Sequence, residues 1–314
     1  MNSGENTRND MFAAFLTTIF FSLSSIFANR SIRVVGATYA NLGRLLVAAL
    51  VLGAYAHTLG QGLGGEATYW LLLSGVVGMG LGDLAAFGAF PILGSRLTAL
   101  VTQCLAAPIA ACTEYVWLGT TLSGVQVLWS TVILAGVGFA LMPSRRHPPR
   151  VKVKPIGFLW GAFSAAGQGI GAVMSRKANE IANASGQTLD GITGAYQRIL
   201  GGLVIALLFF LIRGAITRAL SRGERKVELP PIAGQPWYAF LWIPANGLSG
   251  AVIGVSCYQW ALFTTSSGLV LPIVATTPLV IIPLSYWIER ETPTLRSIIG
   301  AGIAVAGAVV LTQV

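Results

Sequence analysis

Trp237-Tyr-Ala-Phe-Leu-Trp-Ile-Pro-Ala-Asn-Gly-Leu-Ser-Gly-Ala-Val-Ile-Gly-Val-Ser-Cys-Tyr-Gln-Trp-Ala-Leu-Phe263 reads as one uninterrupted apolar segment. A short polar turn, Thr264-Thr265-Ser266-Ser267-Gly268, separates it from a second run over Leu269–Ile288. From Leu229 to Ile288 there is no charged residue. Only lipid or dense packing accommodates such a length of chain, and ~20 apolar residues are enough for a helix to cross ~30 Å of hydrocarbon. The pattern is not the period-two alternation of a β-barrel strand.

The rest of the chain agrees. Only 10% of its 314 residues are charged, 54% are apolar, and the mean hydropathy is +0.71. Soluble domains carry about 25% charged residues, so a cytosolic enzyme, a disordered chain and a disulfide scaffold are excluded. Ten runs have spanning length: 11–29, Thr38–Leu59, Thr68–Phe90, Leu97–Leu118, Val125–Met142, Ile156–Ser175, Gly191–Ile212, Trp237–Phe263, Leu269–Ile288 and Ser297–Thr312. The first lacks a basic leader and a small-residue cleavage site, so it reads as a retained span. The expectation is an all-α, polytopic membrane protein with ten transmembrane helices.

The ten runs fall into two sets of five with matching signals in the same order. Arg44 opens Arg-Leu-Leu-Val-Ala-Ala-Leu in span two, and Arg198 opens Arg-Ile-Leu-Gly-Gly-Leu-Val in span seven. Spans four and nine carry Pro108 and Pro278, and spans five and ten end in small-residue repeats. Five is odd, so tandem copies must lie in opposite orientations, the inverted-repeat plan of secondary transporters. The predicted organisation is a first five-helix repeat over 1–142, a basic linker over 143–155 and a second repeat over 156–314. A duplicated scaffold without transport is the plain alternative.

These features resemble the EamA family of the drug/metabolite transporter superfamily. The Pro108 helix runs into Leu118-Gly119-Thr120-Thr121-Leu122 and the Pro278 helix into Glu289-Arg290-Glu291-Thr292-Pro293. The second turn is close to the family's Gly-Glu-x-x-Thr/Ser pattern. The first turn lacks that glutamate. The resemblance covers almost the whole chain and implies a secondary carrier for small metabolites, often an exporter, in a bacterial inner or plasma membrane. It leaves the substrate open.

Ionisable residues inside spans are functional-site candidates. Asp83 is the one acid near mid-depth, after Gly78-Met79-Gly80-Leu81-Gly82; Glu114 lies nearer a span end and reads as interfacial. Asp83 either carries a proton or, with Arg44 or Arg96 beside it, forms an ion pair or holds a substrate ammonium. Arg44 and Arg198 read either as receptors for a carboxylate or phosphate or as architectural residues of each repeat. Amides are costly in hydrocarbon without partners, so Gln103, Gln168 and Gln259 should face a polar interior. With Tyr258, Trp260, Trp160 and Tyr196 they suit an amphipathic pocket for an amino acid or a similar metabolite. Pro108 and Pro278 are candidate gating kinks.

Other chemistry is not indicated. Cys104, Cys112 and Cys257 are scattered, His57 and His147 stand at segment edges, and no metal or cofactor is expected. There is no HExxH pair, GxSxG elbow or Walker loop, which argues against a membrane-embedded enzyme and against ATP as the direct energy source. A passive channel remains the competing class.

Charge sets the expected orientation. One family of alternate loops, that of both termini, contains Arg8, Arg176 and Lys177. The opposite family contains Arg30, Arg33, Arg96, the basic residues of 143–155 and 213–236, Arg290 and Arg296. The positive-inside rule places the basic loops in the cytoplasm and both termini outside, although the resemblance implies cytoplasmic termini. Basic loops against anionic headgroups also account for the net charge of +9 without nucleic acid. A periplasmic-active reporter fused to the C-terminus is therefore expected to be active, and activity of a cytoplasm-only reporter there would overturn the orientation.

Overall fold

The computed structural model describes residues 3–141, 154–221, 236–289, 295–311 and 313, and among these there is no strand. Helix α1 (Ser3–Val35) and α2 (Ala37–Thr58) are joined by Gly36 alone, whose φ of 80° favours glycine. Next come α3 (Thr68–Gly75), a π-helical segment Val76–Gly82, and α4 (Asp83–Leu118), which ends on the left-handed Gly119. α5 (Gly124–Leu141) starts at a reciprocal cap, with Ser123 N donating to Gln126 Oε1 and Gln126 N to Ser123 Oγ.

The later half is organised similarly. α6 (Pro155–Ala184) begins on proline, where no donor is needed. In α7 (Gly191–Ser221) the Asp190 carboxylate accepts from Ile192 N and Thr193 N. A short 3₁₀ turn, Trp237–Leu241, leads to α8 (Trp242–Asn246), a second π-helical segment Gly247–Gly254, and α9 (Val255–Thr264). α10 (Ser267–Val274), α11 (Thr277–Glu289) and α12 (Leu295–Leu311) complete it. The 143–155 linker, apart from its last two residues, and most of 213–236 lie outside the described residues; Arg213 and Arg218 are on α7.

Among the described residues, six helical stretches are long and apolar enough to cross a membrane: Phe12–Val35, Ala37–Thr58, Thr68–Ala86, Pro155–Ala184, Gly191–Ile216 and Trp237–Thr264. No non-helical residue stands between Phe90 and Leu97, where a gap is expected from the sequence. Yet a straight α4 would run ~54 Å, and its neighbours exclude this. Descending α4, Gly82 abuts Gly167 and Leu93 abuts Gly157; then Val101 abuts Gly161, Ala106 and Ala110 abut Gly169, and Glu114 meets Arg176. The path along α6 therefore reverses between Leu93 and Val101, and α6 lies between two antiparallel limbs.

Packing pairs the halves with each other. α6 lies on α3, α4 and the first π segment, while α1 lies on α8 to α11 and the second π segment. α2 packs on α7 and α5 on α12. Glycines permit these approaches: a Cβ on Gly136 would stand 2.8 Å from Ala304 N, and one on Gly201 would collide with the Leu72 carbonyl. Gly201→Ala is expected to lower thermal stability by ~1–3 kcal/mol, the usual cost of overpacking. Gly214→Ala, inside α7 with nothing within 4 Å, should not lower the Tm and should raise it slightly. A wild-type Tm for Gly201→Ala would contradict the α3–α7 backbone contact.

Candidate functional site

Between the halves lies a hollow of about 200 Å³. Its polar wall begins where the first π segment hands over to α4, which sets Asp83 at the helix start. Asp83 Oδ2 pairs with Arg44 Nη2, and Asp83 Oδ1 accepts from Gln168 Nε2 at 3.3 Å. Arg44 Nε donates to Asn41 Oδ1, one turn earlier, at 2.8 Å. Both charged side chains of the pair are only 16% exposed.

Arg198 stands on the opposite wall, 1% exposed. Its Nη1 donates to Gln259 Oε1 at 3.0 Å, and its Cζ lies 5.3 Å from the Tyr258 ring centroid. Gly78 makes room for it, since a Cβ there would stand 2.7 Å from Nη2. No carboxylate among the described residues lies within 4 Å of Arg198.

The expected site residues divide into three groups. Arg44, Asp83, Gln103, Gln168, Arg198 and Tyr258 all line the hollow. Gln259 is fully buried just behind it, on Arg198. Tyr196, Trp160 and Trp260 are not part of the lining. Tyr196 is held to His57 Nε2 at 3.1 Å, while Trp160 and Trp260 are 43% and 41% exposed. The helical period explains the two tryptophans: the buried face of α6 runs through Gly157, Gly161 and Ser164, and inward Tyr258 and Gln259 turn Trp260 outward.

The prolines also differ from expectation. Pro108 is exposed in an unbroken α4. Pro278 is not mid-helix: it is the second residue of α11, after a break at Ala275-Thr276. Side chains serve the carbonyls around that break. Thr277 Oγ1 donates to Val274 O at 2.6 Å, the acceptor Pro278 cannot serve, and Thr18 and Ser22 of α1 reach Ile273 O and Thr277 O. The polar residues of α1 were missed as lining, although Ser24 and Ser25 border the hollow beside Phe21. The signal was a Thr17-Thr18…Ser22…Ser24-Ser25 stripe within an apolar run.

Glu114, near the end of its helix, is 2% exposed and so packed between helices. It pairs with Arg176 Nε at 2.6 Å and accepts from Ser267 N at 2.8 Å and from the Ser267 hydroxyl. Arg176, assigned from sequence to a loop, is inside α6 and donates to Leu262 O at 3.1 Å. At the same end Gln61 Nε2 donates to Thr188 O and Gln197 Nε2 to Gly62 O, at 2.6 and 2.9 Å.

Removing one partner of a buried ion pair leaves an uncompensated charge and costs ~3–5 kcal/mol. Arg44→Gln and Asp83→Asn are each expected to lose about that much, and the double substitution less than their sum. Additive losses in thermal unfolding would show that the pair is not coupled.

Residues 155–313 match the model of the EamA-like transporter family. No curated protein matches the chain. Among solved structures, a crystal structure of a protein is 17% identical, with a TM-score of 0.68 over 97% of this chain and 96% of its own. At that identity the likeness speaks for the fold alone, across nearly the whole length. The family match covers just over half of the chain, and it joins a bundle of apolar helices to a charged internal hollow: this is a multi-pass membrane protein of the drug/metabolite transporter type, and the chain belongs to the EamA-like transporter family.

Proposed function

We propose that the chain is a ten-span secondary carrier whose residues 1–142 and 156–314 form two inverted five-helix repeats. It exports small amphipathic metabolites, amino acids or related compounds, by alternating access. The observation that carries this reading is the hollow itself: Arg44, Asp83, Gln103, Gln168 and Arg198 converge between the halves, where no purely structural protein needs polar lining.

The packing supports the repeats. The first helix of each half lies on the third and fourth segments of the other, and second pairs with second, fifth with fifth. Each half also has a π-helical segment in its third span, Val76–Gly82 and Gly247–Gly254. π segments recur at functional sites, and here both adjoin the hollow through Met79, Gly250 and their neighbours.

The charge bias supports cytoplasmic basic loops and external termini, and burial of Arg176 against Glu114 removes one charge from the poorer side. In that orientation the Glu114–Arg176 pair and the Gln61–Thr188 and Gln197–Gly62 bonds tie the two halves together at the external end. Opening outward requires those bonds to break as the halves rock. The basic side lies against anionic lipid.

Reconstituted liposomes test the carrier. Preloaded substrate on the far side is expected to accelerate uptake of labelled substrate without nucleotide, and an imposed proton or potential gradient to drive accumulation. Flux that never exceeds passive equilibration and shows no acceleration by preloading would replace the carrier with a channel.

A further inference from the structure

We propose that the hollow takes an organic monocarboxylate and that Arg198 is the receptor for its carboxylate group; this rests on the carrier reading above. Among the described residues the walls hold two guanidinium groups, Arg44 and Arg198, against one carboxylate, Asp83. Asp83 is already engaged, by Arg44 on one oxygen and by the Gln168 amide on the other. Arg198 has only neutral partners: Gln259 Oε1 at 3.0 Å, Ser175 Oγ at 3.5 Å and the Tyr258 ring. Asp83 attracts it across the hollow but does not touch it, and a buried ion with no counter-charge in contact is costly.

Two of the unsatisfied atoms at this wall are donors. Arg198 Nε and Gln259 Nε2 are both buried donors with no acceptor. Surplus donors and surplus positive charge are completed by an acceptor-rich anion, and they repel an ammonium. A planar guanidinium offers a carboxylate two parallel donors. Phe21, Leu271 and Val274 supply apolar wall for the body of the molecule. An amino acid brings its own ammonium, and with Asp83 occupied the hollow has no second acid to receive it. The charge balance therefore ranks simple acids above amino acids, and both above amines.

The test uses two series that each keep one body and vary the charge: 3-phenylpropionate, phenylalanine, phenethylamine and 3-phenylpropanol; and hexanoate, norleucine, pentylamine and hexanol. Ligand-dependent thermal shifts of the purified full-length chain give the affinities. At least one carboxylate is expected to bind saturably, with its amino acid at least tenfold weaker and its amine and alcohol weaker still. Arg198→Gln should weaken the carboxylate ~10–100-fold, the worth of a charge-assisted hydrogen bond. Because that variant leaves buried groups without partners, Gln259→Glu provides a second check: it sets a carboxylate beside Arg198, and should abolish acid binding in a folded protein.

Binding led by an amine, alcohol or amino acid, no binding by either carboxylate, or undiminished acid binding in Gln259→Glu overturns the proposal. If an amine or alcohol both binds and shows counterflow in liposomes, the carrier stands and the charge assignment falls. If a carboxylate binds but shows no counterflow, the receptor stands and the carrier falls.

Discussion

In hydrocarbon no water is available to hydrogen-bond a stray polar group, so every amide, carbonyl and charge must find its partner inside the protein. The break between α10 and α11 shows how far this constraint reaches. Thr277 serves the carbonyl that Pro278 leaves without a donor, and Thr18 and Ser22 of a helix some 255 residues away serve two more. Without those hydroxyls an interrupted helix could not sit at membrane depth. The same rule makes Glu114 the acceptor for the first amide of α10 and couples it to Arg176.

Glycine is the geometric counterpart of that rule. Between apolar helices in lipid there is little hydrophobic drive, so association relies on close backbone approach. Gly167 against Gly82 and Gly169 against Ala106 allow α6 to lie between the two limbs of α4. Gly78 makes room for a charge as well as for a helix, because the space of its missing side chain is where the Arg198 guanidinium sits. Close packing and a polar hollow are therefore built from the same small residues.

The hollow places two ionic environments side by side. Arg44 and Asp83 neutralise each other across adjoining elements, with Gln168 and Asn41 completing their hydrogen bonds. Arg198 has amide, hydroxyl and ring instead. Two arginines that look equivalent in the sequence, each early in the second helix of its half, thus meet different surroundings. Repetition of a motif fixes where the side chain leaves the helix, and the contacts of the opposite half decide whether its charge is spent.

Composition and run length by themselves determined an all-helical membrane protein, because the cost of charge in hydrocarbon acts on any sequence whatever its tertiary contacts. They also singled out Asp83, Arg44, Arg198 and the inward glutamines, since ionisable and amide groups among apolar neighbours are costly wherever they point. Tertiary structure alone decided that Asp83 belongs to Arg44, that Glu114 is buried, that the chain reverses between Leu93 and Val101 without an intervening loop, and that Trp160 and Trp260 face outward. Those outcomes depend on which helix stands opposite. An apolar helix in lipid carries almost no amphipathic pattern to announce its inner face, so aromatic residues could not be sorted by periodicity, and partners far apart in the chain were invisible until the fold brought them together.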